Sequence, residues 1–239
     1  MKKNKFLSLL ILIMFNSCSS IYLPNSQNAP LFKAAGDFQT SGQGQIYFPS
    51  FAYSFQAQSA YAVTNHIGAM ANYGIMRSNN KGKGQLGEFA LGYYTNHNNH
   101  NYNVFLGTGI SSASGLTGQG ETSRVKTVYN NFFLQPCYGY SKGIVSFAAS
   151  IKVNYVDAED TYYSDNFTPL TRRTVSYHFE PAFTTKVKLG SSPLHFVGQV
   201  GLHLTNYDDS NYMSNFGRIA VGIQLSLGKD LKNKVKEGK

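Results

Sequence analysis

The sequence predicts an all-β protein that forms a closed antiparallel transmembrane β-barrel of about ten strands, with eight strands as the alternative. Three features lead to this fold class: long stretches of alternating apolar and polar residues, alternating short and long connections, and an N-terminal export signal. Only 14% of the residues are charged, well below the roughly 25% of a soluble domain. The 17 Tyr and 17 Phe residues suit a sheet protein rich in aromatic anchors.

The hairpin from Thr174 to Leu204 shows the alternation most clearly. Apart from Thr185, one face of its first strand is apolar: Val175, Tyr177, Phe179, Pro181, Phe183, Val187 and Leu189. The other face is mostly polar: Ser176, His178, Glu180, Ala182, Thr184, Lys186 and Lys188. A period of two is the side-chain repeat of a β-strand. Each strand exceeds the typical ~5–6 residues of soluble proteins and reaches the about 9–11 that cross a bilayer.

The connections between the predicted strands differ in length on the two sides. Strands are predicted near residues 37–45, 51–63, 67–76, 85–94, 102–111, 125–140, 143–155, 172–189, 194–206 and 216–228. Tight turns alternate with long polar loops at 77–84, 112–124, 156–171 and 207–215. This asymmetry is typical of outer-membrane barrels, and an even strand number places both ends of the barrel on one side.

The N-terminus predicts export followed by lipid attachment. Residues 1–17 form a signal peptide, with a basic start and the apolar run from Phe6 to Phe15. Cys18 follows the small Ser17, which resembles the bacterial lipoprotein signal, although Phe15 and Asn16 depart from it. We therefore predict lipidation at Cys18; the alternative is an ordinary signal peptide that contains this residue. The formal charge of +9 includes three lysines of the signal peptide.

The predicted organisation has three further parts. Residues 18–35 contain Pro24 and Pro30 without strict alternation, which predicts a lipid-anchored periplasmic linker. Residues 36–228 form the barrel, and residues 229–239 form a basic C-terminal tail. Such a tail is a solvated end or contacts anionic headgroups, so no nucleic-acid partner is predicted.

Four tracts resemble a family of uncharacterised lipoprotein outer-membrane barrels of Gram-negative bacteria. They are Ile21–Asn25, Ala29–Phe32, Gly36–Gln39 and Ala60–Gly68. The resemblance implies an outer-membrane barrel domain, and it implies no assigned activity.

The apolar face is predicted to point outward, into lipid. The last strand presents Ile219, Val221, Ile223, Leu225 and Leu227 without a charge, while polar positions are dominated by Gly, Ala, Ser, Asn and Gln. A soluble periplasmic lipocalin-like barrel, with the apolar face inward, is the alternative. The predicted lumen network comprises Glu88, Lys152, His178, Glu180, Lys186, Gln199, His203 and Arg218. Because buried charges must pair, we predict a filled lumen without a large open pore.

The sequence favours a non-enzymatic function. No nucleotide loop, metal-spaced Cys/His cluster or Gly-x-Ser-x-Gly elbow is present, so no catalytic residues, cofactor or metal are predicted. The tract from Asn96 to Asn101 is interpreted as a polar turn. The His-x pairs lead to Glu180 and Thr205, whereas lipid A deacylases have His-x-Ser. We predict a barrel with a structural or surface-binding role. Its predicted partners are outer-membrane lipid and a ligand or protein that contacts outer loops such as 162–167. The alternatives are a small channel and a lipid-modifying enzyme, and the oligomeric state stays open.

Overall fold

The computed structural model describes residues 22–48, 51–78, 82–116, 124–164, 167–205 and 215–228. The predicted signal peptide, Cys18 and the basic tail lie outside the described residues. The described chain forms ten strands: β1 Phe38–Phe48, β2 Tyr53–Ala62, β3 Ile67–Arg77, β4 Lys83–His97, β5 His100–Leu116, β6 Arg124–Lys142, β7 Val145–Ser164, β8 Phe167–Lys188, β9 Leu194–Thr205 and β10 Asn215–Leu227.

The ten strands close into one antiparallel barrel. Each strand pairs with its neighbours in the sequence, and β1 pairs with β10 to complete the ring. The closing register runs from Phe38 opposite Leu227 to Phe48 opposite Gly217. The predicted fold class and the count of ten strands are therefore confirmed, and the alternative of eight strands is wrong.

The two faces of the sheet point as predicted. On β8 and β10 the apolar positions are exposed on the outside, as at Tyr177 and Val221, whereas Glu180 and Arg218 are buried inside. The alternative of a soluble barrel with an apolar interior is therefore wrong. No helix long and apolar enough to cross a membrane occurs in the described part of the chain.

The barrel has two unlike ends. At one, here called the turn end, the connections comprise residues 63–66, 98–99, 143–144 and 189–193. At the other, the loop end, β5 ends at Leu116 and β6 begins at Arg124, and β9 ends at Thr205 and β10 begins at Asn215. The strands β6, β7 and β8, with 19, 20 and 22 residues, are the longest in the described chain.

The predicted loop at 156–171 is largely wrong, because β7 and β8 continue through most of it. Tyr155 and Tyr177 pack against each other on the outer surface with ring centroids 5.6 Å apart. One step towards the loop end, Arg173 Nε donates a hydrogen bond to Asp157 Oδ1 at 2.7 Å. Beyond the aromatic pair the outward positions carry charged residues such as Asp157 and Arg173, so the apolar outward face ends while the strand pairing continues.

The largest departure from the predicted organisation concerns the linker. Residues 22–32, here called the lumen segment, are mostly buried inside the barrel rather than extended in the periplasm. A barrel of about eight strands has an interior that its own side chains fill, and ten strands leave more room. Many inward positions also carry small residues, including Ala60, Ala90, Ala148, Ala182 and Ala220. One extended stretch of chain occupies the space that remains.

Candidate functional site

The lumen segment and the side chains around it form the most extensive buried polar site in the described residues. Within the segment, Ser26 and Phe32 are fully buried and Asn25 and Gln27 are 2% exposed. The segment belongs to neither helix nor strand, so its backbone N–H and C=O groups have no sheet partner. Buried backbone groups must find other partners, and here the inward side chains of the barrel supply them.

Four glutamines from three strands, β2, β6 and β9, bind the middle of the segment backbone. Gln199 accepts a hydrogen bond from Gln27 N at 2.8 Å and donates one to Gln27 O at 2.9 Å. Gln56 Oε1 accepts from Ser26 N at 2.8 Å, and Gln58 Nε2 donates to Ser26 O at 2.5 Å. On β6, Gln135 Nε2 donates to Asn28 O at 2.7 Å. An amide both donates and accepts, so it can satisfy either group of a peptide backbone without adding a charge.

Further contacts hold the part of the segment nearer the turn end. Asn103 Nδ2 donates to Pro30 O at 3.0 Å, and Asn101 Nδ2 donates to Phe32 O at 2.8 Å. Lys186 Nζ donates to Ala29 O at 2.8 Å. The Phe32 ring lies in an apolar cluster with Ala60, Ala62, Met70, Ala90, Tyr94, Phe105 and Phe133. This end of the segment is therefore held by both hydrogen bonds and packing.

Glu88 forms the first of two ionic centres inside the barrel. Its carboxylate lies 2.5 Å from Lys152 Nζ and accepts a hydrogen bond from Asn25 Nδ2 at 2.6 Å. Asn72 and Asn131 each donate to the same carboxylate at 3.2 Å. Lys152 also donates to Asn25 Oδ1 at 3.1 Å. Asn25 of the lumen segment thus bridges a buried ion pair between β4 and β7.

Glu180 forms the second ionic centre and binds the first described residue of the chain. Its carboxylate pairs with Arg218 and accepts a hydrogen bond from Asn154 Nδ2 at 2.9 Å. Tyr22 Oη donates to Glu180 Oε1 at 2.5 Å. The Tyr22 ring stacks on His178 with centroids 4.1 Å apart, and the His203 ring lies 5.1 Å away. Tyr22 is therefore fixed by a charged acceptor and by two aromatic faces.

The buried charges inside the barrel balance, with three acidic and three basic side chains in the described residues. The buried charged residues in the described chain are Glu88, Asp160 and Glu180 against Lys152, Lys186 and Arg218. A buried charge without a partner is strongly unfavourable, so this balance is a condition for closing the lumen.

A chain of hydrogen bonds near Tyr22 has the elements of a nucleophilic site. Ser176 Oγ lies 2.8 Å from His178 Nε2, and His178 Nδ1 lies 2.7 Å from His203 Nε2. A histidine beside a serine hydroxyl can act as its general base. In this structure the ring of Tyr22 covers both histidines, so the lumen segment stands between this group and a substrate arriving through the lumen.

All eight residues of the predicted lumen network lie inside the barrel: Glu88, Lys152, His178, Glu180, Lys186, Gln199, His203 and Arg218. The structure brings them into contact with the lumen segment, directly or, for Arg218, through Glu180. Cys137 is also buried inside, where it packs with Ala29 and Ala148. Among the described residues, no group of three or more His, Cys, Asp or Glu side chains could hold a metal ion. The predicted turn at 96–101 is a two-residue turn, Asn98–Asn99, flanked by strand residues.

The residues predicted from the sequence do not include the lumen segment or the amides that bind its backbone. A usable signal is present on β1 and β2, where glutamine recurs with period two at Gln43, Gln45, Gln56 and Gln58. A second signal is the uncharged polar run from Asn25 to Asn28. Neither signal alone indicates that one binds the other, because they meet only when the barrel closes.

The fold is that of outer-membrane β-barrels of Gram-negative bacteria. The chain superposes on the outer membrane protease OmpT from Escherichia coli with a TM-score of 0.57 at 10% identity, covering 81% of this chain and 95% of that chain. The translocator domain of the autotransporter NalP from Neisseria meningitidis gives a TM-score of 0.48 at 12% identity, with 81% and 89% covered. No family model and no curated protein matches the sequence. The likeness to OmpT establishes the barrel fold, and with the outward apolar face it supports an outer-membrane location.

Proposed function

We propose that the chain is a non-enzymatic outer-membrane β-barrel lipoprotein that closes its lumen with its own N-terminal segment. Its role is structural or surface-binding, through the connections at the loop end. Its partners are outer-membrane lipid, attached at Cys18, and a ligand or protein that meets the outer loops.

One observation carries this proposal: the lumen segment is bound along its length by the inward side chains. The amides of Gln58, Gln135 and Gln199 occupy its backbone carbonyls, and two ionic centres anchor Asn25 and Tyr22. Because the interior of the barrel is occupied by its own chain and by the side chains that bind it, little space is left for a solute to pass. This arrangement supports the function of a closed scaffold rather than that of a channel.

The lipid attachment is tested by substitution of Cys18. We expect a palmitate analogue to label the wild-type protein and Cys18→Ala to abolish the label, leaving a precursor that is uncleaved or cut elsewhere. Cys137→Ala is the matched control, because it removes the other cysteine and should retain the label. Labelling that persists in Cys18→Ala contradicts the anchor.

A lipid-modifying enzyme is the second candidate, favoured by the hydrogen bond between Ser176 Oγ and His178 Nε2. The test is lipid profiling of a deletion strain complemented with wild type, Ser176→Ala or Ser150→Ala. Ser150 is a second inward serine that is buried on β7. The non-enzymatic proposal expects four identical profiles of lipid A and phospholipids. A profile restored by wild type and Ser150→Ala but not by Ser176→Ala would establish the enzyme instead.

A further inference from the structure

We propose that the chain crosses its own barrel from the outside, so that the N-terminal end of the lumen segment emerges on the cell surface. The lipid on Cys18 is then presented to the outer leaflet of the outer membrane rather than to the periplasmic leaflet. The orientation of the segment is argued from its contacts alone. The position of the lipid rests, in addition, on the proposed lipidation of Cys18.

The C-terminal end of the lumen segment lies at the turn end of the barrel. Asn96 Nδ2, near the end of β4, donates a hydrogen bond to Lys33 O at 3.2 Å. Asn65, in the connection between β2 and β3, accepts one from Ala35 N at 3.1 Å. From there the chain enters β1 at Phe38. Short turns face the periplasm in outer-membrane barrels, so the segment leaves the lumen on the periplasmic side.

The N-terminal end of the segment lies towards the loop end. Tyr22 and Leu23 pack with Tyr129, Val156 and Ala158, and Met76 and Ala113 complete this apolar cluster. Met76 is the penultimate residue of β3, which ends at Arg77 on the loop end. Leu23 also packs on Gly84, the second residue of β4, where a Cβ atom would lie 2.5 Å from Leu23 Cδ1. These partners belong to the opposite end of the barrel from those of Lys33 and Ala35.

The contacts between the two ends progress in one direction along a single strand. On β6, Tyr129 Oη accepts a hydrogen bond from Leu23 N at 2.9 Å, Gln135 Nε2 donates to Asn28 O at 2.7 Å, and Gly139 packs on Leu31. Since β6 runs from the loop end to the turn end, the segment runs the same way beside it. The segment therefore crosses the lumen once, without doubling back.

The reach of the chain fixes the side on which Cys18 lies. Three residues lie between it and Tyr22, and the four residue-to-residue steps that join them span at most about 14 Å when fully extended. Tyr22 stacks on His203, the third-last residue of β9, so most of the apolar band, about 25 Å tall in outer-membrane barrels, lies between Tyr22 and the periplasmic side. That distance exceeds the reach of the chain, so Cys18 cannot return to the periplasmic side. The lumen itself is occupied by the segment and by the side chains that bind it. Cys18 is thus confined to the loop end, where the nearest lipid is the outer leaflet.

In this placement the acyl chains have a role other than attachment of the protein to the membrane. A closed ten-stranded barrel is already held in the membrane by its outward apolar face. Acyl chains in the outer leaflet would instead hold the N-terminal end of the segment, because drawing them into a polar lumen is strongly unfavourable. The lipid then prevents the segment from sliding out towards the periplasm.

The test is the labelling of introduced thiols on intact cells with a membrane-impermeant maleimide, in a Cys137→Ser background that retains Cys18 and whose own reaction is subtracted as the blank. Ser20→Cys reports the N-terminal side of the segment. Thr171→Cys, exposed on β8 near the loop end, and Ser191→Cys, exposed in the turn between β8 and β9, are the matched controls. We expect Ser20→Cys and Thr171→Cys to react on intact cells, and Ser191→Cys to react only after the outer membrane is permeabilised.

Other outcomes overturn the inference. Ser20→Cys that reacts only after permeabilisation would place the N-terminus in the periplasm, and Ser20→Cys that reacts only after unfolding would place it inside the lumen. If Ser191→Cys but not Thr171→Cys reacted on intact cells, the turn end and not the loop end would face the cell exterior. A palmitate analogue added to the same strains reports lipidation separately. Surface-reactive Ser20→Cys in a protein that takes up no label would refute the anchor of the proposed function while the orientation of the segment stands.

Discussion

At the scale of single residues, the stability of the barrel interior depends on charged side chains that are buried and paired. Glu88 shows this most directly, since one carboxylate collects the Lys152 ammonium and the amides of Asn25, Asn72 and Asn131. Each of these donors would be left poorly satisfied if the carboxylate lost its charge. The same side chain therefore links its own strand, β4, to β3, β6 and β7 and to the lumen segment.

Glu88→Gln is expected to lower the free energy of unfolding by about 3–5 kcal/mol, because it leaves the Lys152 charge buried without its partner. The double variant Glu88→Gln/Lys152→Met should recover part of this loss. Urea unfolding, followed by the gel mobility of unheated samples, measures both. Glu159→Gln, an exposed acid on the outer side of β7, is the control and should change stability by less than about 0.5 kcal/mol. Equal losses for Glu88→Gln and Glu159→Gln would contradict the buried ion pair.

The outward face gives a second prediction for single residues. Val221 is 52% exposed on the lipid side of β10, while Gln224 is buried and donates to Gln39 Oε1 at 3.2 Å. Val221→Arg should cost about 2–4 kcal/mol, since it places a charge against lipid near mid-strand. Gln224→Arg should cost less, because Gln224 lies within the last four residues of β10, where a guanidinium can reach water at the turn end. Heat-modifiable gel mobility compares the two variants, and the reverse order would argue against the assignment of the faces.

At the scale of elements, the lumen segment differs from the ten strands because side chains, and not backbone pairing within the sheet, hold it in place. Gln199→Leu should cost about 1–3 kcal/mol, because it removes the partners of both Gln27 N and Gln27 O and leaves them buried. Gln43→Leu is the matched control: Gln43 is equally buried, but its amide donates to Ser41 and Gln58 rather than to the segment. Urea midpoints and protease cleavage within residues 22–32 measure the effect. Cleavage that rises equally in the two variants would contradict the role of Gln199.

The elements also show what the sequence can and cannot predict. Predicted strands at 194–206 and 216–228 match β9 and β10 to within a residue at each end, because lipid and lumen impose opposite polarity on alternate positions. The outer halves of β7 and β8 are missed because their outward positions change from apolar to charged, at Asp157, Glu159 and Arg173, so the apolar outward face ends while the strands continue. The lumen segment is missed for a different reason. Its two prolines and mixed polarity carry no repeat, and its place depends on a space that exists only after ten strands have closed.

At the scale of the whole molecule, the number of strands and the lumen segment are coupled. Ten strands enclose more space than side chains alone would fill, and the small residues inside widen it further. At Gly68, an added Cβ atom would lie 2.6 Å from Phe32 Cε2. The segment thus packs directly on the barrel wall at such positions. We therefore expect the lumen of this barrel to stay closed only while the segment remains in place.

Single-channel recording in planar bilayers at high salt tests this coupling. We expect no stable conductance steps from the wild-type protein, because the segment and its bound amides interrupt the water column. Glu180→Ala should also stay closed: it removes the carboxylate partner of Tyr22 and Arg218, but the contacts of Asn25, Gln27 and Phe32 remain. A chain that lacks residues 22–31 should give small, stable steps, since it exposes a charged and amide-lined lumen to water. Stable porin-sized steps from the wild-type protein would contradict the closed lumen and favour the channel. A truncated chain that folds, by its gel mobility, and yet stays silent would show that the barrel wall closes the lumen without the segment.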